Sequence, residues 1–227
     1  MIFRMALTAV ARGPMHTRGP GRVLPLVDTA IEVDARGNPI IPGSSVRGRV
    51  RAHFERLVRA LGQPVCRPPR PETMCPHVDL GREDGFCLAC QVFGSAWLPG
   101  SVAFDDLTMP PELAVPNLLP VRTGVSVNRK LASAEAKRLF VVEVADPTAV
   151  SGDLQFEGEV TGDLSRLHIG WLLAAIRMVT CLGGGKARGF GEVSLAVHDL
   201  AEWDASAGRW HPVEIQPLIK EALDASP

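Results

Sequence analysis

Four of the five cysteines in this 227-residue chain fall between positions 66 and 90, and Cys181 stands apart. Cys66, Cys75, Cys87 and Cys90 offer the four thiolate donors that tetrahedral zinc takes in structural sites. Cys87 and Cys90 have the tight Cys-x-x-Cys spacing, while eight residues separate Cys66 from Cys75, an excursion that such sites tolerate. His77 competes for the place of Cys75 or Cys66. A closed four-ligand set leaves no open position, so the expected Zn²⁺ is structural. The N-terminus shows no secretion signal, which favours a metal site over disulfides and predicts a cytoplasmic protein. Unrelated reduced thiols are the competing explanation.

Two further stretches suit a chain of phosphates. Gly183-Gly184-Gly185-Lys186-Ala187-Arg188-Gly189-Phe190-Gly191 exposes backbone N–H groups with two cations among them. It is not a nucleotide-binding P-loop, because Ala187 stands where a Mg²⁺-holding Ser or Thr would follow the lysine. A plain helix stop with a tight turn is the alternative. The second stretch, Ile41-Pro42-Gly43-Ser44-Ser45-Val46-Arg47-Gly48-Arg49-Val50-Arg51, places hydroxyls and free N–H groups at a helix N-terminus, where positive partial charge favours anions. Gly48 costs that helix about 1 kcal/mol relative to Ala, which points to a need for backbone access.

The net charge of −1 hides a polarised chain. Residues 1–70 hold 12 Arg and no Lys against four acids, a balance of +8, and the remainder carries −9. Such a chain can present a basic groove and stay soluble. No run of about 18 apolar residues exists, so no membrane partner is expected.

The elements that must position these groups can be placed by periodicity. Phe3, Met5, Leu7 and Ala9 alternate with Arg4 and Thr8, as in a half-buried strand. A Gly/Pro-rich loop follows at 12–22, then a hairpin pairing 29–33 with 39–41. Val46, Val50, Phe54, Leu57 and Leu61 define one face of a first helix, with Ser44 or Ser45 as its N-cap. Residues 64–91, with seven prolines or glycines, read as a loop-like insertion with almost no core of its own. A strand at 101–107 leads into an excursion at 108–145, whose basic part, 121–145, reads as irregular and returns as the strand Leu139–Val144. A strand at 154–160, a helix over 164–182 ended by Gly183, and a strand at 192–197 complete the pattern. The order is that of an α+β, ferredoxin-like βαββαβ sandwich over residues 1–200, with 201–227 as a peripheral C-terminal tail.

A Gly-rich loop after strand one, Ile-Pro-Gly-Ser-Ser-Val-Arg-Gly-Arg-Val-Arg opening helix one, Cys-x-x-Cys-x-Val-Phe-Gly-Ser and Gly-Gly-Gly-Lys-Ala-Arg-Gly-Phe-Gly-Glu-Val occur in that order across residues 10–193. Together they resemble the RAMP superfamily of CRISPR-associated proteins, and within it are most similar to the repeating backbone subunit of type III effector complexes. The resemblance implies an RRM-like core that holds a CRISPR guide RNA by shape and backbone. It also implies a filament shared with other effector subunits, including copies or paralogues of this chain, and a thumb that interrupts the guide–target duplex. The thumb region would be 108–145, with Arg122 and Arg129 as RNA contacts. His16, Arg18, Gly43, Ser44, Ser45, Arg47, Arg51, Lys186 and Arg188 are the other candidate RNA-binding residues.

The same resemblance singles out one acid. Active backbone subunits carry a lone Asp between strand one and the Pro-Gly-Ser-Ser helix, needed for metal-dependent cleavage of complementary target RNA. Asp28, in Leu26-Val27-Asp28-Thr29, occupies that place, and the metal would be Mg²⁺ or Mn²⁺. Asp34 is the alternative, in the turn context Asp-Ala-Arg-Gly-Asn. Two rivals remain: a non-catalytic scaffold subunit of the same complex, and a metal-independent endoribonuclease that processes CRISPR transcripts with His16 as general base.

Overall fold

The computed structural model describes residues 1–19, 22–78, 85–113, 119–149 and 153–225. Residues 20–21 of the first loop, 79–84 of the insertion and 114–118 of the excursion lie outside them. Strand β1 (Ile2–Ala11) is the centre of the main sheet because its alternation lets one face be buried completely. Phe3, Met5, Leu7, Ala9 and Ala11 are all fully buried. On one side β1 pairs antiparallel with β7 (Leu154–Asp163), on the other with β8 (Val193–Asp204). The helices α1 (Gly43–Ala60) and α3 (Arg166–Arg177) pack against each other and supply Val46, Val50, Phe54, Ile169, Leu172 and Ile176 to the core.

Three short strands, β2 (Ile40–Ile41), β3 (Val102–Phe104) and β4 (Leu107–Thr108), extend the sheet: β3 and β4 pair with β7, and β2 with β4. At the far edge β9 (Arg209–Pro212) pairs with β8. Among the described residues the path is β2-β4-β7-β1-β8-β9, all antiparallel where paired. The protein is thus a mixed α+β structure with antiparallel sheets, consistent with an RRM-like fold. Among the described residues no helix is long and apolar enough to cross a membrane.

The structure corrects several expectations. Residues 121–145 are not irregular: β5 (Val121–Asn128) and β6 (Ser133–Glu143) form a separate two-stranded antiparallel ribbon. Its alternation is obscured in sequence because both faces are largely exposed, with Val125, Val127 and Leu139 open to solvent. The 29–33/39–41 hairpin reduces to one bridge, Val33 with Pro39, because 29–31 take partners on β6 and at Arg18 instead. Neither Ser44 nor Ser45 caps α1; Pro42 is the N-cap, and the Gly43 N–H donates to Asp106 Oδ1 at 2.7 Å. The second helix ends at Arg177, before Gly183, and residues 178–182 peel away so that the Leu182 N–H can donate to Gly191 O at 2.8 Å.

The insertion is also less independent than its composition suggests. The short helix α2 (Leu88–Phe93) is buried on five of its six residues, and the rings of Phe93 and Phe54 meet edge to face at 5.3 Å. Beyond residue 200, β8 continues to Asp204, past a register shift against β1 between His198 and Ala201. The closing helix α4 (Ile215–Asp224) buries Leu218, Ile219 and Ala222 against α3. Gly170 permits that contact, since a Cβ there would lie 2.3 Å from the Ala222 Cβ, and Trp171 Nε1 donates to Ala222 O at 2.9 Å. One face of α4 thus joins the core, while β9 lies at the sheet edge.

Candidate functional site

Three segments far apart in sequence meet at one open cleft of about 360 Å³. The loop after β1 contributes Thr17 and Arg18, the start of α1 contributes Ser45, Gly48, Arg49 and Ala52, and the glycine-rich loop contributes Gly183, Gly184 and Lys186. Backbone hydrogen bonds hold the two loops together: Gly184 N–H to His16 O and Gly191 N–H to Pro14 O, both 2.8 Å. Gly183 is needed at this junction, because its φ is +77° and a Cβ would fall 2.3 Å from the His16 carbonyl oxygen. Three cations and no carboxylate line the cleft. Among the described residues none of the three forms an ion pair, so their charge is available to an anion. A cationic, open groove bordered by glycine backbone suits a phosphate chain.

Not every residue singled out from sequence reaches this cleft. Ser44 and Ser45 are exposed, and Ser45 lines it. Gly43 is instead a packing position, since a Cβ there would sit 2.3 Å from Phe104 O. Arg47 donates to Phe93 O, and Arg51 donates to Gly94 O at 2.7 Å and pairs with Glu55 at 2.8 Å. These two arginines point toward α2. Arg49, which the motif did not single out, lines the cleft, and helical spacing could have revealed it. Positions 45, 48, 49 and 52 make one i, i+3, i+4, i+7 stripe, while 47 and 51 form a different one. Arg188 lies over the rings of Phe140 and Phe190, with 5.0 and 5.6 Å to their centroids, linking the glycine-rich loop to the ribbon.

Asp28 is exposed and stitched to the base of the ribbon. Its N–H donates to Val141 O at 2.9 Å, and its Oδ2 accepts the Val141 N–H at 2.7 Å, while among the described residues Oδ1 accepts no hydrogen bond. It shares a second open cavity of about 440 Å³ with Arg18 and Arg22. Arg22 is held bidentately by buried Glu143 at 3.0 and 3.3 Å, and Glu143 also accepts the Ile31 N–H. His16, 7% exposed, lies below the cleft: its Nδ1 donates to Glu143 O at 2.7 Å, which fixes the ring and the loop carrying it. Asp34 accepts the Arg36 and Asn38 N–H groups, as a turn residue does. On the ribbon, Arg129 is exposed near the tip, while Arg122 pairs with buried Asp146. Burial raises the Asp146 pKa, but the Thr148 hydroxyl and N–H and the Arg122 guanidinium outweigh it and hold the carboxyl below its ordinary range.

Cys66, Cys75, Cys87 and Cys90 are all buried, with sulfurs within 4.8 Å of one another. The Cys66–Cys90 and Cys66–Cys87 separations are both 3.7 Å. Zn–S bonds of about 2.3 Å in a tetrahedron put sulfurs about 3.8 Å apart, so the cluster fits a metal such as zinc. A hydrogen bond from Cys90 brings the Cys87 thiol down to about 4, while burial pushes Cys75 up to about 11 and the contact with Cys87 raises Cys90. Four adjacent thiolates need a cation to coexist. His77 stands outside the cluster, packed edge to face on Trp97 at 5.1 Å.

No curated protein matches the chain. A family model described as the RAMP superfamily matches residues 8–194, which run from within β1 to the start of β8 and take in the cleft, the Asp28 loop and the four cysteines. The chain belongs to the RAMP superfamily.

Proposed function

We propose that this chain is a guide-RNA-binding backbone subunit of a type III-like CRISPR effector complex, acting in the cytoplasm with copies or paralogues of itself. RAMP membership makes it a CRISPR-associated RNA-binding protein, and RAMP proteins act with CRISPR RNA and other effector subunits. The observation that carries the reading is the convergence of three remote segments on one carboxylate-free cationic cleft. The strand order β4-β7-β1-β8, flanked by α1 and α3, supports a ferredoxin-like core. The β5–β6 ribbon is then the thumb, with Arg129 free to meet RNA, and the four cysteines hold structural Zn²⁺.

Asp28 is the proposed catalytic residue for cutting the guide-paired target. It lines the cavity it shares with Arg18, where Mg²⁺ or Mn²⁺ would stabilise charge at the scissile phosphate. Arg18 and the fixed Arg22 would orient that phosphate. A scaffold role is the second reading, favoured by the single carboxylate in this cavity. Against the transcript-processing alternative stands the burial of His16 and the engagement of its Nδ1 by Glu143 O. The deciding experiment is target cleavage by the complete guide-loaded complex with Mg²⁺ and with EDTA. Metal-dependent cutting supports the catalytic form, no cutting supports the scaffold, and cutting of repeat RNA in EDTA would remove both.

A further inference from the structure

We propose that Arg51 is a positioning residue of the cysteine centre, tying it to α1 and offsetting its charge, and that it takes no part in RNA binding. The inference rests on the four cysteines holding zinc. Four thiolates around Zn²⁺ leave an excess of negative charge in a buried place, and metal centres of this kind are tuned by the groups that hydrogen-bond to the ligands.

All three guanidinium nitrogens of Arg51 are engaged within the protein. Nη2 lies 3.5 Å from Cys90 Sγ, Nη1 donates to Gly94 O at 2.7 Å, and Nε donates to Glu55 Oε1 at 2.8 Å. Among the described residues it is the only cation within hydrogen-bond reach of a cysteine sulfur. Its side chain is 27% exposed, so it faces less screening than a surface arginine. Arg47, one turn earlier, donates to Phe93 O. The two arginines therefore hold the C-terminal carbonyls of α2, while α2 carries Cys90 and has Cys87 as its N-cap. The opposite stripe of α1, with Gly48 and Arg49, lines the cleft. One helix thus divides its arginines between two tasks, and planar multidentate bonding is what lysine could not supply at position 51.

The test uses the full zinc-loaded chain, a chromophoric chelator and single-stranded RNA oligonucleotides of unrelated sequence. Arg51→Gln should hold zinc about 10- to 100-fold more weakly, the range for losing a partner of a metal ligand, and so release it faster than wild type. It should also shift the thiolate-to-metal band of the cobalt-substituted protein and leave the salt dependence of RNA binding unchanged. Arg49→Gln should do the reverse, releasing zinc at the wild-type rate and lowering the salt slope of log K by about 0.7. Zinc release from Arg51→Gln at the wild-type rate, or a reduced salt slope, overturns the assignment while leaving the metal site standing. A wild-type chain that binds no zinc overturns the metal site and this inference together. Should Arg51→Gln fail to fold, Arg51→Lys decides: intermediate release supports the proposal and wild-type release refutes it.

Discussion

Gly43 and Gly48 lie five residues apart in α1, yet the same substitution should affect them with opposite sign. At Gly48 a Cβ would meet nothing within 4 Å, and the residue is exposed on the cleft side of the helix. Gly48→Ala should therefore recover the helix propensity that glycine forfeits, about 0.8–1.0 kcal/mol. For a chain of this size that corresponds to a rise in Tm of about 2–4 °C. At Gly43 a Cβ would lie 2.3 Å from Phe104 O and 2.8 Å from Asp105 O, both backbone atoms that can yield only by moving β3 away from α1. Gly43→Ala should cost about 1–3 kcal/mol, the usual penalty of overpacking. The functional consequence also separates the two. Gly48→Leu, which gains nearly the same propensity, puts a side chain on the wall of the cleft. If RNA lies there, displacing one charge-assisted hydrogen bond costs about 1.5 kcal/mol or more, hence a tenfold or greater loss of affinity. Urea unfolding read by circular dichroism, beside RNA titrations at several salt concentrations, measures both quantities. A Gly48→Leu protein that is more stable and binds RNA with wild-type affinity would refute the claim that the backbone is bare there for RNA.

Asp28→Ala should assemble with guide and bind complementary target like wild type but fail to cut it, whereas Asp34→Ala should cut normally; products of wild-type cleavage by a multi-copy complex should fall at regular intervals. Full cleavage by Asp28→Ala removes the residue from the mechanism. Cys87→Ser or Cys90→Ser should drop zinc below one equivalent per chain by elemental analysis and loosen α2 in hydrogen exchange; because protons compete with metal for thiolates, zinc release from wild type should accelerate as pH falls, and pH-independent release would contradict a thiolate site. Asp146→Asn should destabilise the base of the ribbon by about 1–3 kcal/mol at pH 7. The Asp146 pKa is lowered on folding, so its contribution is present above the ordinary aspartate value of about 3.9 and lost as pH falls through the lower folded value. The stability gap between variant and wild type should accordingly narrow in acid, and a gap that widens would be inconsistent.

The local patterns that need no partner were legible in the residues. Alternation in β1 names its buried face, because side chains in a strand alternate whatever lies opposite. The i, i+4, i+8 spacing of Val46, Val50 and Phe54 places α1, and four cysteines in 25 positions declare a ligand set. The glycines of 183–191 advertise a backbone that side chains must not cover, and four of them adopt positive φ. What one-dimensional pattern could not supply is orientation. Arg47, Arg49 and Arg51 are equivalent in a charge count, and only the packing of α2 against α1 gives two of them partners at the end of α2 and leaves the third to the cleft. His16 looks like a loop histidine until the contact with β6 buries it. Only the last part of β6 was legible in the ribbon, because a two-stranded element with both faces exposed carries little burial signal. One face of α4 joins the core through Gly170, whose missing side chain matters solely because α4 returns to lie on it. Residue type and spacing determine which groups can be ligands, cations or turns; long-range packing decides which of them face the same space.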